Sequence, residues 1–282
     1  MNYNCFDVTI SGKIAHLQLK RGDELNTMTP DFWRELPEIV SGIDADASAR
    51  AIVISSTGRH FSAGMDLAVF QGGGGLFNLD DGPKEIGRQR STLRAMALRL
   101  QDSFSVLERA RMPVLAAVQG GCIGGAVDMI SACDMRYASA DAFFCIQEIN
   151  IGMTADVGTL QRLPKLIPEG VARELAYTGD RLPAGRAREI GLVNEVFDTH
   201  EDLVEGVLDI AARIVRHSPL AIWGTKEMIN FTRDHSVADG LNYVATWQAG
   251  MFHGADMMEE FVAKSDKRDP EFEDVPRLPE QL

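Results

Sequence analysis

Several common signatures are missing from this sequence, and each absence narrows its function. No run of about 18 apolar residues occurs, so no membrane-spanning helix is expected. The opening MNYNCFDVTI has no basic segment ahead of an apolar run, so no secretory signal is expected, and the closing PEQL is not a peroxisomal address. Cysteine is scarce: Cys5, Cys122, Cys133 and Cys145 form no C-x-x-C pair, and no histidine stands at ligand spacing. That argues against a disulfide framework or a metal centre, and for buried reduced thiols in a cytoplasmic protein. Positive charge is in deficit: 28 Lys and Arg face 41 Asp and Glu, leaving a net charge of −13. A field of that sign repels polyanions, so no nucleic-acid partner is expected. The glycine-rich turns match neither a dinucleotide fingerprint nor a phosphate loop, and G-x-S-x-G and H-E-x-x-H are absent.

What remains is an ordinary globular composition, 45% hydrophobic over 282 residues, ample for a sizeable core. Val8 to Leu19 alternates as a strand pair turning at Gly12. Thr27 to Val40 reads as a helix, and AIVIS from Ala51 as a buried strand. The glycine-rich stretch 71–83 reads as a mobile surface loop. A long helical pattern follows from Ile86 to Glu108, then a buried strand over Val114 to Val118 and a glycine turn from Gly120 to Gly125. A short helix is expected from Ala126 to Ala132, and short strands at 135–138 and 143–146. Beyond Gly158 the pattern is helical over 158–165, 169–178, 184–190, 201–216, 219–232 and 236–264, ending in a charged, proline-containing arm. This order predicts an α/β core over 1–200 and a helical region with a tail over 201–282.

Two glycine loops each follow a buried strand: Ser62-Ala63-Gly64-Met65-Asp66-Leu67 and Gly120-Gly121-Cys122-Ile123-Gly124-Gly125-Ala126. Glycines between a strand and a helix leave backbone N–H groups free, and two such loops face to face make an oxyanion hole. Around them stand three carboxylates, Asp128, Glu148 and Asp156, in apolar, small-residue surroundings. Carboxylates there lose hydration, so their pKa values rise toward neutrality and they can exchange protons. Each also has an ordinary explanation: Asp128 as a first-turn helix charge, Glu148 as a cap or arginine partner, Asp156 as an N-cap. His60, beside the first loop, reads as a satisfied or surface histidine. Together, the loops and carboxylates point to proton transfer next to a bound carbonyl.

The SAGMDL loop, the GGCIGG turn, the CDMRYASADAFF run, GTLQRLPKLI and DHSVADGLNYVATWQ together resemble the enoyl-CoA hydratase/isomerase (crotonase) superfamily over nearly the whole chain. Within it the trio Asp128, Glu148 and Asp156 is similar to the dienoyl-CoA isomerase branch. In the hydratases the position of Asp128 is usually glutamate and that of Asp156 a small residue. A carboxylate one methylene shorter is retracted by roughly 1.5 Å, which disfavours water addition.

The resemblance implies a spiral of ββα units with a helical C-terminal trimerisation region, assembled as a trimer or dimer of trimers. It implies isomerisation of 3,5-dienoyl-CoA to 2,4-dienoyl-CoA in fatty acid β-oxidation. Glu148 and Asp156 would be the acid–base pair, supported by Asp128. Met65 and Gly125 would supply the oxyanion hole, and Ala63, Gly64, Met65, Asp66, Leu67 and Gly125 the substrate contacts. The substrate is an acyl-CoA thioester, so coenzyme A arrives with it and no metal or cofactor is implied. An enoyl-CoA hydratase and a non-catalytic acyl-CoA-binding protein are the alternatives. Ala126, where the branch often has a third glycine, is expected to narrow the pocket slightly.

Overall fold

A computed structural model describes residues 3–66, 69, 85–252 and 254–279. The 71–83 loop, the unusual glycine insert at 72–75 and Leu67 lie outside the described residues. The expected strand pair forms as β1 (Phe6–Ser11) and β2 (Ile14–Leu19), antiparallel around the turn at Gly12. Parallel strands follow: β3 (Ala51–Ser56), β4 (Val114–Val118), β6 (Met135–Ser139) and β9 (Glu195–Phe197). They complete a six-stranded sheet in the order β1-β2-β3-β4-β6-β9. A second sheet of three strands, ordered β5-β7-β8, holds β5 (Gly121–Ile123), β7 (Phe143–Cys145) and β8 (Leu182–Pro183).

β3 and β4 are buried on both faces, which is why they read as continuous apolar runs. Their alternation divides the interior. Ile52, Ile54, Val114, Ala116 and Val118 face the main core, where α1 (Pro30–Asp46) and α2 (Ile86–Arg109) pack. Ala51, Val53, Leu115 and Ala117 face the other way, onto Leu203, Val207 and Ala211 of α7 (His200–Val215). These three residues recur every four positions, one stripe of a helix. The expected division at residue 200 thus falls directly before a helix that packs on the sheet.

α1 starts where Pro30 occupies its first turn, a position that has no hydrogen bond to lose. Short helices α3 (Gly125–Ser131), α4 (Thr159–Leu166), α5 (Glu169–Thr178) and α6 (Ala184–Glu189) surround the glycine turn and the second sheet. The helical pattern expected over 236–264 is two helices, α9 (Val237–Met251) and α10 (Gly254–Asp266), after α8 (Pro219–Asp234). Phe252 is extended there, and Gly250 and Gly254 weaken helical propensity on either side of the break. Lys226 of α8 is buried and donates to the carbonyls of Leu107 and Met112 while pairing with Asp134, which docks the helical region onto the end of α2. The tail is an extended arm as expected: Asp274 pairs with Lys13 and Arg50, and Leu278 N–H donates to Ala45.

Candidate active site

The two glycine loops are laced together by backbone hydrogen bonds. Ser62 N–H donates to Gly121 at 3.1 Å, and Ile123 N–H donates to Ser62 at 3.1 Å. Gly64 has φ +84°, and a Cβ there would lie 2.6 Å from the Ile123 carbonyl and 3.4 Å from the Gly125 nitrogen. Only glycine permits both that conformation and that approach. His60 secures the turn from behind, its Nδ1 accepting from Gly121 N–H at 2.8 Å. Burial first, then the charges of Arg59 and Arg181, hold its pKa below the usual value, so it stays a neutral acceptor. This is the satisfied histidine read from the sequence.

Most amides of the first loop are occupied. Ala63 N–H donates to Leu25, Gly64 N–H to Ser62 Oγ and Asp66 N–H to Met28. The Asp66 carboxylate accepts from Thr27 at 2.9 Å, so Asp66 also fastens the loop. Among the described residues, the N–H groups of Met65 and Gly125 have no hydrogen-bond acceptor. Gly125 opens α3, where such a donor also carries the positive end of the helix dipole.

Asp128 lies one turn into α3 and is fully buried. Its Oδ1 accepts from Thr159 N–H at 2.5 Å, and its Oδ2 has no partner. Burial pushes its pKa up to about 6, against the lowering effect of the Thr159 hydrogen bonds. Glu148 sits in a short 3-10 turn, Gln147–Ile151, after β7. Its pKa is pushed up to about 7, first by burial and then by the charge of Asp128. A Cβ on Gly124 would lie 3.1 Å from Glu148 Oε1, which places this carboxylate against the residue preceding the free Gly125 N–H. Asp156 is on the loop entering α4. Ala155 and Val157 on either side are buried, while Asp156 is exposed. Desolvation still raises its pKa, opposed by a hydrogen bond from its own backbone.

The three carboxylates act on one another through their charges. Of the two other carboxylates, Asp128 acts on Glu148 more strongly and Asp156 less, each raising its pKa. The ordinary explanations also change. α4 is capped by Gly158 without a side-chain hydrogen bond, so Asp156 is not its N-cap, and Glu148 forms no ion pair among the described residues. Ala126 is fully buried within the main core.

Sequence reasoning passed over Arg162. Gly158 (φ +137°) leaves room for its guanidinium, which donates to Glu108 at 2.6 Å and to Ser105 at 3.0 Å. Burial would raise the Glu108 carboxyl, but Arg162 and then Arg233 more than offset it and hold its pKa below the usual value. The available signal was an arginine four residues after Gly158 in the stretch GTLQRLPKLI.

Two free amides and desolvated carboxylates can respectively stabilise an anion and exchange protons, the equipment of an acid–base enzyme. The sequence model of the enoyl-CoA hydratase/isomerase family matches residues 9–276, and the chain belongs to that family. It is 41% identical over 270 residues to the mitochondrial Delta(3,5)-Delta(2,4)-dienoyl-CoA isomerase of Homo sapiens, covering 95% of this chain and 81% of that one. It is 39% identical over 259 residues to the peroxisomal Delta(3,5)-Delta(2,4)-dienoyl-CoA isomerase of Arabidopsis thaliana, covering 92% of each. Among solved structures, an enoyl-CoA hydratase from Bacillus anthracis superposes with a TM-score of 0.84 at 27% identity, covering 96% of this chain and 100% of that one. The fold is therefore the α/β spiral of this family. The names of the relatives place them in mitochondria or peroxisomes, which overturns the cytoplasmic expectation. The four thiols are free and buried, and such thiols pack as small apolar groups without specifying a compartment.

Proposed function

We propose that this chain is a Δ3,5-Δ2,4-dienoyl-CoA isomerase of fatty acid β-oxidation. The observation that carries the reading is a third carboxylate, Asp156, beyond the buried Asp128 and the half-buried Glu148, in a chain about 40% identical to proteins of that name. The thioester oxygen lies between Met65 N–H and Gly125 N–H. Removal of a C2 proton gives a dienolate whose charge those amides stabilise, and one such donor is worth about 2.7–4 kcal/mol. A proton delivered at C6 then leaves double bonds at C2 and C4, with no net change in atoms or oxidation state. The reaction needs no redox cofactor, and coenzyme A enters with the substrate.

Glu148 is the group for C2, because it lies against Gly124, next to the oxyanion donor and hence next to the carbon beside the carbonyl. With a pKa about 7 it is part ionised at neutral pH, as a base that must also return its proton requires. Asp156 serves C6, and an apolar acyl chain laid over it strips its water and favours its protonated form. Asp128 keeps the Glu148 pKa high. The chain assembles as a trimer or dimer of trimers through α8–α10, where Ile229, Phe252 and Phe261 are 66%, 61% and 60% exposed, more apolar surface than an isolated helical region leaves open.

The second reading is an enoyl-CoA hydratase, favoured by the Asp128–Glu148 pairing. The test is to supply 3,5-dienoyl-CoA and 2-enoyl-CoA separately. The isomerase reading requires a growing conjugated-dienoyl absorbance with the first and little turnover of the second; the reverse result refutes it.

A further inference from the structure

α2 turns one face of side chains toward the loop that carries Asp156. Gln101, Ser105 and Glu108 stand at i, i+4 and i+7, one stripe of the helix. Gln101 Nε2 donates to the Asp156 carbonyl at 2.8 Å. Ser105 and Glu108 hold Arg162, which reaches back toward the Val157 carbonyl at 3.5 Å. On the far side, Thr159 N–H is bonded to Asp128. The loop is gripped downstream of Asp156 by charge and buried contacts. At Asp156 itself, among the described residues, the grip from another residue is Gln101.

That grip reaches the carboxylate by a short route. The Asp156 side chain is exposed, and its hydrogen-bond partner is its own backbone N–H, so its direction follows the local peptide planes. Buried Ala155 and Val157 set which way the residue points, but two apolar anchors leave the peptide between them free to rock. A hydrogen bond to the intervening carbonyl removes that freedom. Misplacing a reacting group by an ångström can cost about a hundred-fold in rate, so a bond of ordinary strength here has a large effect on chemistry.

We propose that Gln101 is a positioning residue for the Asp156 carboxylate, acting through the Asp156 carbonyl; the inference deepens the isomerase reading above and rests on it. Gln101→Ala removes the donor, and Gln101→Glu keeps the shape but sets an acceptor against a carbonyl. Both lower kcat for 3,5-dienoyl-CoA by roughly ten-fold with KM within about two-fold of wild type, since the oxyanion donors are untouched.

Two further readouts separate positioning from general damage. In deuterated water, each variant loses deuterium incorporation at the one substrate carbon that Asp156→Asn also silences, and keeps it at the other. Amide exchange over residues 153–159 quickens in both variants, while the α5 amides exchange as in wild type. Equal loss at both carbons, or wild-type kcat in Gln101→Ala, overturns the inference. If wild type fails to isomerise dienoyl-CoA while Gln101→Ala still loosens 153–159 alone, the isomerase reading falls and the restraint on the Asp156 loop stands.

Discussion

Glu148→Gln should stabilise the substrate-free protein at pH 8 while removing most of its turnover. The folded protein holds the Glu148 carboxyl at about 7 against an ordinary value of 4.5, chiefly by burial. A raised carboxyl pKa means that the folded state binds the proton more tightly than the unfolded chain. The stability it contributes is fully present below about pH 4.5 and is lost as pH rises through about 7. The whole shift corresponds to about 3 kcal/mol. Glu148 is only partly buried and shares its titration with Asp128, so an expected cost of about 1.5 kcal/mol above pH 8 is more realistic. Glutamine is nearly the same shape and never ionises, so it escapes the cost. The assay is urea unfolding of both proteins at one protein concentration, at pH 5 and pH 8. Taking the difference between the two pH values within each protein cancels any pH-independent effect of the amide. The variant's advantage should be about 1 kcal/mol larger at pH 8 than at pH 5. An advantage that is equal at both, or larger at pH 5, would show that the carboxylate is not desolvated as argued.

Asp156→Asn should lower isomerisation by about 10²-fold or more with CoA-thioester binding retained, because the amide cannot exchange protons as the acid does; unchanged kcat in a steady-state assay refutes its role. The turnover profile should fall on the acid side through about pH 6–7, where the Asp128–Glu148 pair takes up a proton and the base is lost, and a flat profile with chemistry rate-limiting refutes it. Gly124→Ala combines a strained φ of +56° with a Cβ 3.1 Å from Glu148 Oε1, so it should cost roughly 1–3 kcal/mol of stability and also displace the base; wild-type activity in a folded variant would count against the Glu148 placement. Light scattering at micromolar concentration should report a trimer or hexamer, and a monomer would contradict the proposed use of α8–α10.

The parts of this fold legible in the sequence are those where one local signal decides. β3 and β4 were continuous apolar runs because both faces are buried, and the loops were visible because glycine is the residue that tolerates their backbone. The three carboxylates stood out because acids are rare in apolar surroundings. Their mutual arrangement was not legible. Asp128 and Glu148 lie twenty residues apart, and what joins them is the approach of Gly124, just before α3, to Glu148 in the turn after β7, a product of tertiary packing. The same holds for the amides. Five candidate donors stand side by side in SAGMD, and only the acceptors Gly121, Leu25 and Met28 from other segments, with Ser62 Oγ from the loop itself, determine that Met65 is the one left over. Gly125→Val illustrates the same limit: a Cβ there would meet Met28 Sδ at 3.0 Å, so the substitution would act by crowding the support of the turn.

Asp128 shows why the arrangement is built on buried acids despite their cost. A fully buried carboxylate with one unsatisfied oxygen is destabilising as an ion and tolerable as an acid, and Thr159 N–H stabilises the ion only in part. A stronger partner, such as a directly bonded arginine, would satisfy Asp128 and hold its pKa low. It would equally cancel the negative charge that helps raise Glu148, and the base would then be too weak to take a proton from carbon. Arg162 is close enough to act on Asp128 through its charge, but its hydrogen bonds go to Glu108, Ser105 and the Val157 carbonyl. The half-buried ion pair with Glu108 therefore does two things: it steadies the Asp156 loop, and it keeps a guanidinium occupied away from the acids. Breaking it with Glu108→Gln would free that charge toward Asp128. Asp128 and Glu148 would then ionise more readily, and the acid limb of the turnover profile would move to lower pH while the maximal rate fell. An unmoved limb in the folded variant would show that the guanidinium's allegiance to Glu108 has no bearing on the pair.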